Sequence, residues 1–91
     1  MSTGPTYRIE FKPSAKKALD KLPKKSRAVI GLKIDTLATD PRPHGSIKLV
    51  NQDDLYRVRS GDYRIIYRIE DDQLVVFVVH VGDRKDVYGS L

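Results

Sequence analysis

Residues 55–67 read LYRVRSGDYRIIY, and this stretch decides the fold of the chain. Polar and apolar side chains alternate on both sides of Gly61-Asp62, and a period of two is typical of strands that bury one face. A Gly-Asp pair between two such runs predicts a β-hairpin. The sequence therefore predicts two neighbouring antiparallel strands, Leu55–Ser60 and Tyr63–Glu70.

Upstream of this hairpin the pattern changes from strand to helix. Alternation in residues 7–11 predicts a first strand with one buried face. A helix follows from Pro13-Ser14, and Pro23 separates it from a second helix, of which it can be an early residue. Apolar residues recur at helical spacing in both helices. In the second helix we expect a stripe of Ile30, Ile34 and Leu37, widened by Val29 and Leu32.

Strands predominate after a Pro- and Gly-rich loop at residues 40–45. A short strand is expected at residues 47–50, and residues 71–72 make the last hairpin turn. Residues 74–81 are almost all apolar and β-branched, which places this strand inside the sheet. The order β-α-α followed by three or four strands indicates an α+β fold, with two N-terminal helices packed on a mainly antiparallel sheet.

The length, charge and composition of the chain limit the classes of function that it can have. The 91 residues predict a single domain, 1–91, whose small and polar first five residues we expect to be disordered. The formal charge of +5 favours an anionic partner such as nucleic acid, and ordinary solubility charge explains it equally well. Without cysteine, disulfides and thiolate zinc sites are excluded, and two distant histidines disfavour an imidazole metal site. With no signal peptide or spanning segment, we expect a cytoplasmic protein without membrane contact.

Four arginines fall on the predicted polar faces of the hairpin. Arg57 and Arg59 are two residues apart and share a face, as do Arg64 and Arg68. If the two faces coincide, the guanidinium groups form a cluster whose mutual repulsion a bound phosphate would relieve. The alternative is a solvated face on which the arginines are paired with nearby carboxylates, and periodicity alone leaves both interpretations open.

Other basic and titratable residues are weaker candidates. Lysines crowd the helical region and could follow an RNA backbone, although a solvated helix face is the alternative for each of them. His80 continues an apolar strand and is expected to be partly buried and satisfied, with acid–base work as the less favoured role. His44 lies in the loop and is expected at the surface. The RNA-binding residues we predict are Lys16, Lys24, Lys25 and Arg68.

Three stretches of the chain resemble the RelE/ParE toxin superfamily, and the resemblance extends over about residues 7–88. YRIEF at residues 7–11, followed by AKKAL at 15–19, resembles the first strand and helix of the family. LYRVRSGDYRIIY at residues 55–67 is similar to its most recognisable motif. VGDRKDVY at residues 81–88 resembles the ending of the RelE branch.

This resemblance implies the toxin of a type II toxin–antitoxin pair. Such a toxin is a metal-free, cofactor-free endonuclease that cleaves mRNA in the ribosomal A site and so inhibits translation. A cognate antitoxin wraps it, so we expect a monomer alone and a hetero-oligomer with the antitoxin. The alternatives are a ParE-like inhibitor of DNA gyrase and a catalytically silent RNA- or protein-binding module. The catalytic positions that the resemblance implies are Arg57, Arg59, Arg64, Arg84 and Tyr88.

Departures from the family pattern bear on the mechanism. Arg57 and Arg59 stand where some relatives carry lysine, and arginine stays protonated, so neither is a plausible general base. Asp83 stands where relatives often have a basic residue, and Val50-Asn51 replaces a common glycine. Tyr88 would then either stack a base or act as the general base. Because a strong base is missing, we expect the free protein to be a feeble nuclease that needs the ribosome to orient mRNA.

Overall fold

A computed structural model describes residues 6–50 and 54–83, and its elements follow the predicted order. The predicted α+β class is confirmed, with two helices packed on a five-stranded, mostly antiparallel sheet. The segment expected to be disordered, residues 1–5, lies outside the described residues. The elements are β1 (Arg8–Phe11), α1 (Pro13–Asp20), α2 (Lys24–Thr36), β2 (Ile47–Lys48), β3 (Leu55–Ser60), β4 (Tyr63–Glu70) and β5 (Val75–Asp83).

The sheet has the strand order β1-β5-β4-β3-β2. β1 runs parallel to β5, and the other neighbours are antiparallel. β5 is thus an interior strand, as its apolar run predicts, and it extends to Asp83, two residues past the expected end. The β3–β4 turn uses Gly61 at φ 61°, a left-handed conformation that glycine adopts without a steric penalty. No helix in the described ranges is long and apolar enough to cross a membrane.

The core lies between the helices and one face of the sheet. The width predicted for the α2 stripe is wrong: Val29 is 54% exposed and Leu32 is 68% exposed. At about 100° per residue, Leu32 is on the opposite side of the helix from Ile30, and Val29 is a quarter-turn away. Only the narrow stripe reaches the sheet. The buried cluster is Ala15, Leu19, Ile30, Ile34, Leu37, Val58, Ile65, Tyr67, Ile69, Val76, Val78 and Val81.

Polar contacts fasten the α2–β2 loop to one end of the sheet. Arg42 forms an ion pair with Asp71, with 2.9 Å between Nη2 and Oδ2, and its guanidinium lies 5.4 Å from the centroid of the Tyr56 ring. The Tyr7 hydroxyl donates to Asp71 at 2.7 Å. The Arg42 guanidinium, with a smaller contribution from Tyr7, lowers the pKa of Asp71. The Tyr67 hydroxyl donates to the Pro41 carbonyl at 2.7 Å.

Tyr67 makes the stability of the fold sensitive to alkaline pH. Burial is the main cause that raises its pKa from 10.0 to about 12. The folded state therefore holds this proton more tightly than the unfolded state. The stabilisation is complete below pH 10 and is lost as the pH rises toward 12, for a total of about 2–3 kcal/mol. We expect the free energy of unfolding, measured by denaturant titration, to fall over this interval.

The matched variants separate Tyr67 from the other tyrosines. Tyr67→Phe has no phenol to ionise, so most of the decline between pH 10 and 12 should disappear. Tyr63→Phe, changed at a half-buried ring on the same strand, should keep it. An unchanged alkaline decline in Tyr67→Phe would contradict the assignment.

Candidate RNA-binding surface

The β3–β4 register places four arginines on one face of the sheet. Arg59 lies directly opposite Arg64, and Arg57 lies opposite Ile66. Directly opposed residues of an antiparallel pair share a face, with their Cβ atoms about 4.5–5.5 Å apart. The two polar faces of the hairpin therefore coincide, on the side of the sheet away from the helices. We call this surface the arginine face and define it by Arg57, Arg59, Arg64 and Arg68.

The arginines of this face differ in their neighbours. Arg68 donates from Nε to Glu70 at 2.9 Å, and its guanidinium lies 5.2 Å from the centroid of the Phe77 ring. Neither Arg57 nor Arg59 forms an ion pair with any residue that the structure describes. Arg57 is also only 7% exposed, and burying a cation without a carboxylate is costly. Pairing with a carboxylate thus explains Arg68, but no carboxylate of the described residues plays this part for Arg57 or Arg59.

The arginine face continues onto β5. Ile66 is fully buried although it lies outside the core cluster, so the cations surround an apolar floor. Gly82 lies opposite Arg64 and contributes no side chain there. Two cross-strand rows result: Arg57, Ile66 and His80 in one, and Arg59, Arg64 and Gly82 in the next.

A β-bulge determines where His80 points. Tyr67 pairs with Val78, whereas Ile66 pairs with His80, so Val79 is the extra residue on β5. An uninterrupted ladder would place His80 opposite Ile65, whose side chain is in the core. The bulge turns the imidazole to the arginine face, where the residue is half-buried as expected. The alternation of the sequence did not predict this bulge, since His80 was expected only to be partly buried within an apolar strand.

The predicted lysines are not brought to this face. Lys16 is in α1, where it pairs with Asp20 at 2.9 Å, and Lys24 and Lys25 are exposed at the start of α2. The helices cover the opposite face of the sheet, so these lysines are separate from the arginines. Arg84 and Tyr88 lie outside the described residues.

Three further features of the described region were considered as parts of a site: Asp83, a groove on the helix side and possible metal ligands. Asp83 ends β5 opposite Tyr63, not opposite an arginine. A groove of ≈ 320 Å³ lies between the start of α2 and the β3–β4 turn, lined by Lys25, Val29 and Asp62 among others, on the helix side of the molecule. Within residues 6–50 and 54–83, no three side chains are grouped so that they could hold a metal ion.

Comparisons with known proteins agree with this architecture. A family model described as the ParE toxin of type II toxin-antitoxin systems matches residues 9–88. The mRNA interferase toxin RelE of Escherichia coli is 34% identical over 88 residues, which cover 92% of each chain. Toxin RelG of Mycobacterium tuberculosis is 30% identical over 83 residues, 90% of this chain and 95% of that protein. A chain of the archaeal RelE–RelB complex from Pyrococcus horikoshii superposes with a TM-score of 0.77 at 33% identity, covering 90% of this chain and 99% of that one.

Proposed function

Because this chain belongs to the ParE toxin family of type II toxin–antitoxin systems, within the RelE/ParE superfamily that its motifs predict, we propose that it is a ribosome-dependent mRNA endonuclease. The observation that carries the proposal is the convergence of Arg57, Arg59 and Arg64 on one face, two of them without a carboxylate partner among the described residues. The names of similar toxins, which call them mRNA interferases, support the same activity.

The proposed reaction needs cations more than it needs a protein nucleophile. RNA carries its own nucleophile in the 2′-hydroxyl, so cleavage by transesterification leaves a 2′,3′-cyclic phosphate and a 5′-hydroxyl. The pentacoordinate phosphorane carries more negative charge than the phosphodiester. Preorganised guanidinium donors stabilise that charge, and one such donor is worth roughly 3 kcal/mol. Arg57, Arg59 and Arg64 are the residues we propose for this role.

The remaining parts of the proposed machinery rest on the family resemblance. We place Arg84 and Tyr88 at the same site on that basis, and Arg68 beside it as an RNA contact. Lys16, Lys24 and Lys25 remain predicted backbone contacts on the helix side. We propose action in the A site on the basis of the family resemblance, with the ribosome holding the mRNA against the arginine face.

A cognate antitoxin is the protein partner we propose. Structures of similar toxins include RelE–RelB complexes from Pyrococcus horikoshii and Escherichia coli. The net charge of +5 suits an acidic antitoxin segment, and a basic face left open would otherwise bind nucleic acid unspecifically. We expect the toxin alone to be a monomer, its complex with antitoxin to be a hetero-oligomer, and its action to be cytoplasmic.

The test is to induce the chain in cells and map the 5′ ends of mRNA. We expect codon-phased cuts with the wild type, their loss in Arg64→Ala, and their retention in Arg8→Ala. Arg8 is a matched control because it is on the same side of the sheet, at the edge strand, where it pairs with Glu10.

The competing function is that of a ParE-like inhibitor of DNA gyrase, which we keep because the matching family model is described as a ParE toxin. Double-strand DNA breaks with intact messages would support gyrase and would contradict the nuclease. The two outcomes are read from the same induced culture, so expression level and toxicity are shared between them.

A further inference from the structure

We propose that His80 is the general base of the cleavage reaction and takes the proton of the attacking 2′-hydroxyl. The inference rests on the proposed nuclease function and adds to it the proton acceptor that the arginines lack. It is carried by the β-bulge at Val79, which turns His80 out of the core and onto the arginine face. Bulges that redirect a side chain are frequent next to active sites.

The described face offers few other acceptors. Its arginines stay protonated at any physiological pH. Its two carboxylates are engaged, since Glu70 is 2.9 Å from Arg68 and Glu10 is 2.7 Å from Arg8. Imidazole is the side chain that most often serves as a general acid or base in enzymes. His80 is the histidine of this face, because His44 lies in the exposed α2–β2 loop.

The geometry lets the imidazole and two guanidinium groups act on one phosphodiester. His80 and Arg57 are in one row, separated only by Ile66, so their backbones are two strand spacings or about 10 Å apart. The Arg57 and His80 side chains, at the two ends of a row whose middle residue Ile66 is buried, can meet one nucleotide. Arg64 is the diagonal neighbour of His80 on the adjacent strand, and residues placed in this way are about 7–8 Å apart.

The charged groups around His80 come from three strands, while α1 packs against the other face of β5. Lys12, just past β1, donates its backbone N–H to the Val78 carbonyl beside the bulge. The side chains on the same face are Arg57 and Arg59 of β3, Arg64, Arg68 and Glu70 of β4, and Arg8 and Glu10 of β1.

The step balances without any further reactant except water. The 2′-oxygen forms a bond to phosphorus while its proton passes to the neutral ring nitrogen of His80. The bond between phosphorus and the 5′-oxygen breaks, and that oxygen takes a proton from water. The products are a 2′,3′-cyclic phosphate and a 5′-hydroxyl, and the imidazolium then returns its proton to solvent.

The test is single-turnover mRNA cleavage on programmed ribosomes as a function of pH. For the wild type we expect the logarithm of the rate to rise with unit slope through the imidazole range and then to level off. His80→Gln should be slower by about 100-fold, within the range for a positioned base, and should lose this rise. His44→Gln is the matched control and should keep both the rate and the profile of the wild type. Added imidazole should partly restore His80→Ala.

The outcomes separate the two proposals. A wild-type rate or pH profile in His80→Gln would overturn the role of His80 while leaving the nuclease intact. If the wild-type rate falls as the pH rises, the titrating group acts as an acid and not as a base, which would also overturn the proposal. Absence of cleavage by the wild type would overturn the nuclease itself. Thermal unfolding of both His80 variants near the wild-type temperature excludes a folding defect as the cause of the lost rate.

Discussion

Replacing Arg57 and Arg64 together with alanine is expected to lower the single-turnover rate of mRNA cleavage on the ribosome by about 10⁴-fold. Removing one preorganised donor to a developing oxyanion costs about 10²–10³-fold, and these two belong to adjacent rows of the same face. Because neighbouring donors are not additive, the expected loss is at the lower end of the product. The measurement is cleavage of a defined A-site codon with toxin in excess over ribosomes.

The control for this variant removes the same charge elsewhere. Arg8→Ala with Arg27→Ala takes two exposed guanidinium groups away from β1 and α2, so the net charge falls equally. We expect less than about a tenfold effect, from weaker steering alone. A loss of equal size in both double variants would show that bulk charge, and not the arginine face, carries the rate. Arg57→Lys keeps the charge, and the family resemblance implies lysine at this position in some members, so the variant should retain most of the activity.

The sequence predicts the arginine cluster only if the polar faces of the two hairpin strands coincide. The alternation of side chains determines on which face of its own strand each arginine lies. Whether the two faces coincide depends on the pairing register of the strands. A two-residue turn at Gly61-Asp62 sets Ser60 opposite Tyr63, and Arg59 then falls opposite Arg64. The turn that predicts the hairpin therefore also predicts the cluster. What the sequence did not provide was the burial of Arg57, which depends on the neighbouring strands.

Other features could not be obtained from alternation or helical spacing. The bulge at Val79 adds one residue to β5, and nothing in a run of valines marks which residue is extra. The exposed positions of Val29 and Leu32 follow from how narrowly α2 contacts the sheet, which depends on tertiary packing. Arg84 and Tyr88 were assigned by resemblance and remain predictions.

The two hairpin strands contribute to both the core and the arginine face, because alternate side chains point to opposite sides of the sheet. Their inward side chains, such as Val58 and Ile65, belong to the core, and their outward side chains form the arginine face. Substitutions of Arg59 and Arg64, which keep exposed surface, should therefore change the reaction with little effect on folding, whereas Arg57 and Ile66 on the same face are buried. Core substitutions should do the reverse, which makes stability and cleavage separately measurable.

Ile34→Ala is accordingly expected to lower the free energy of unfolding by about 2–5 kcal/mol, because it empties a 2% exposed position between α2 and the sheet. Leu32→Ala on the same helix, at 68% exposure, should change it by less than about 0.5 kcal/mol. Urea denaturation monitored by circular dichroism measures both. A domain of this size has only about 5–15 kcal/mol of stability, so the first loss is a large fraction of the total. Equal losses from the two variants would mean that the outer side of α2 is also packed against protein.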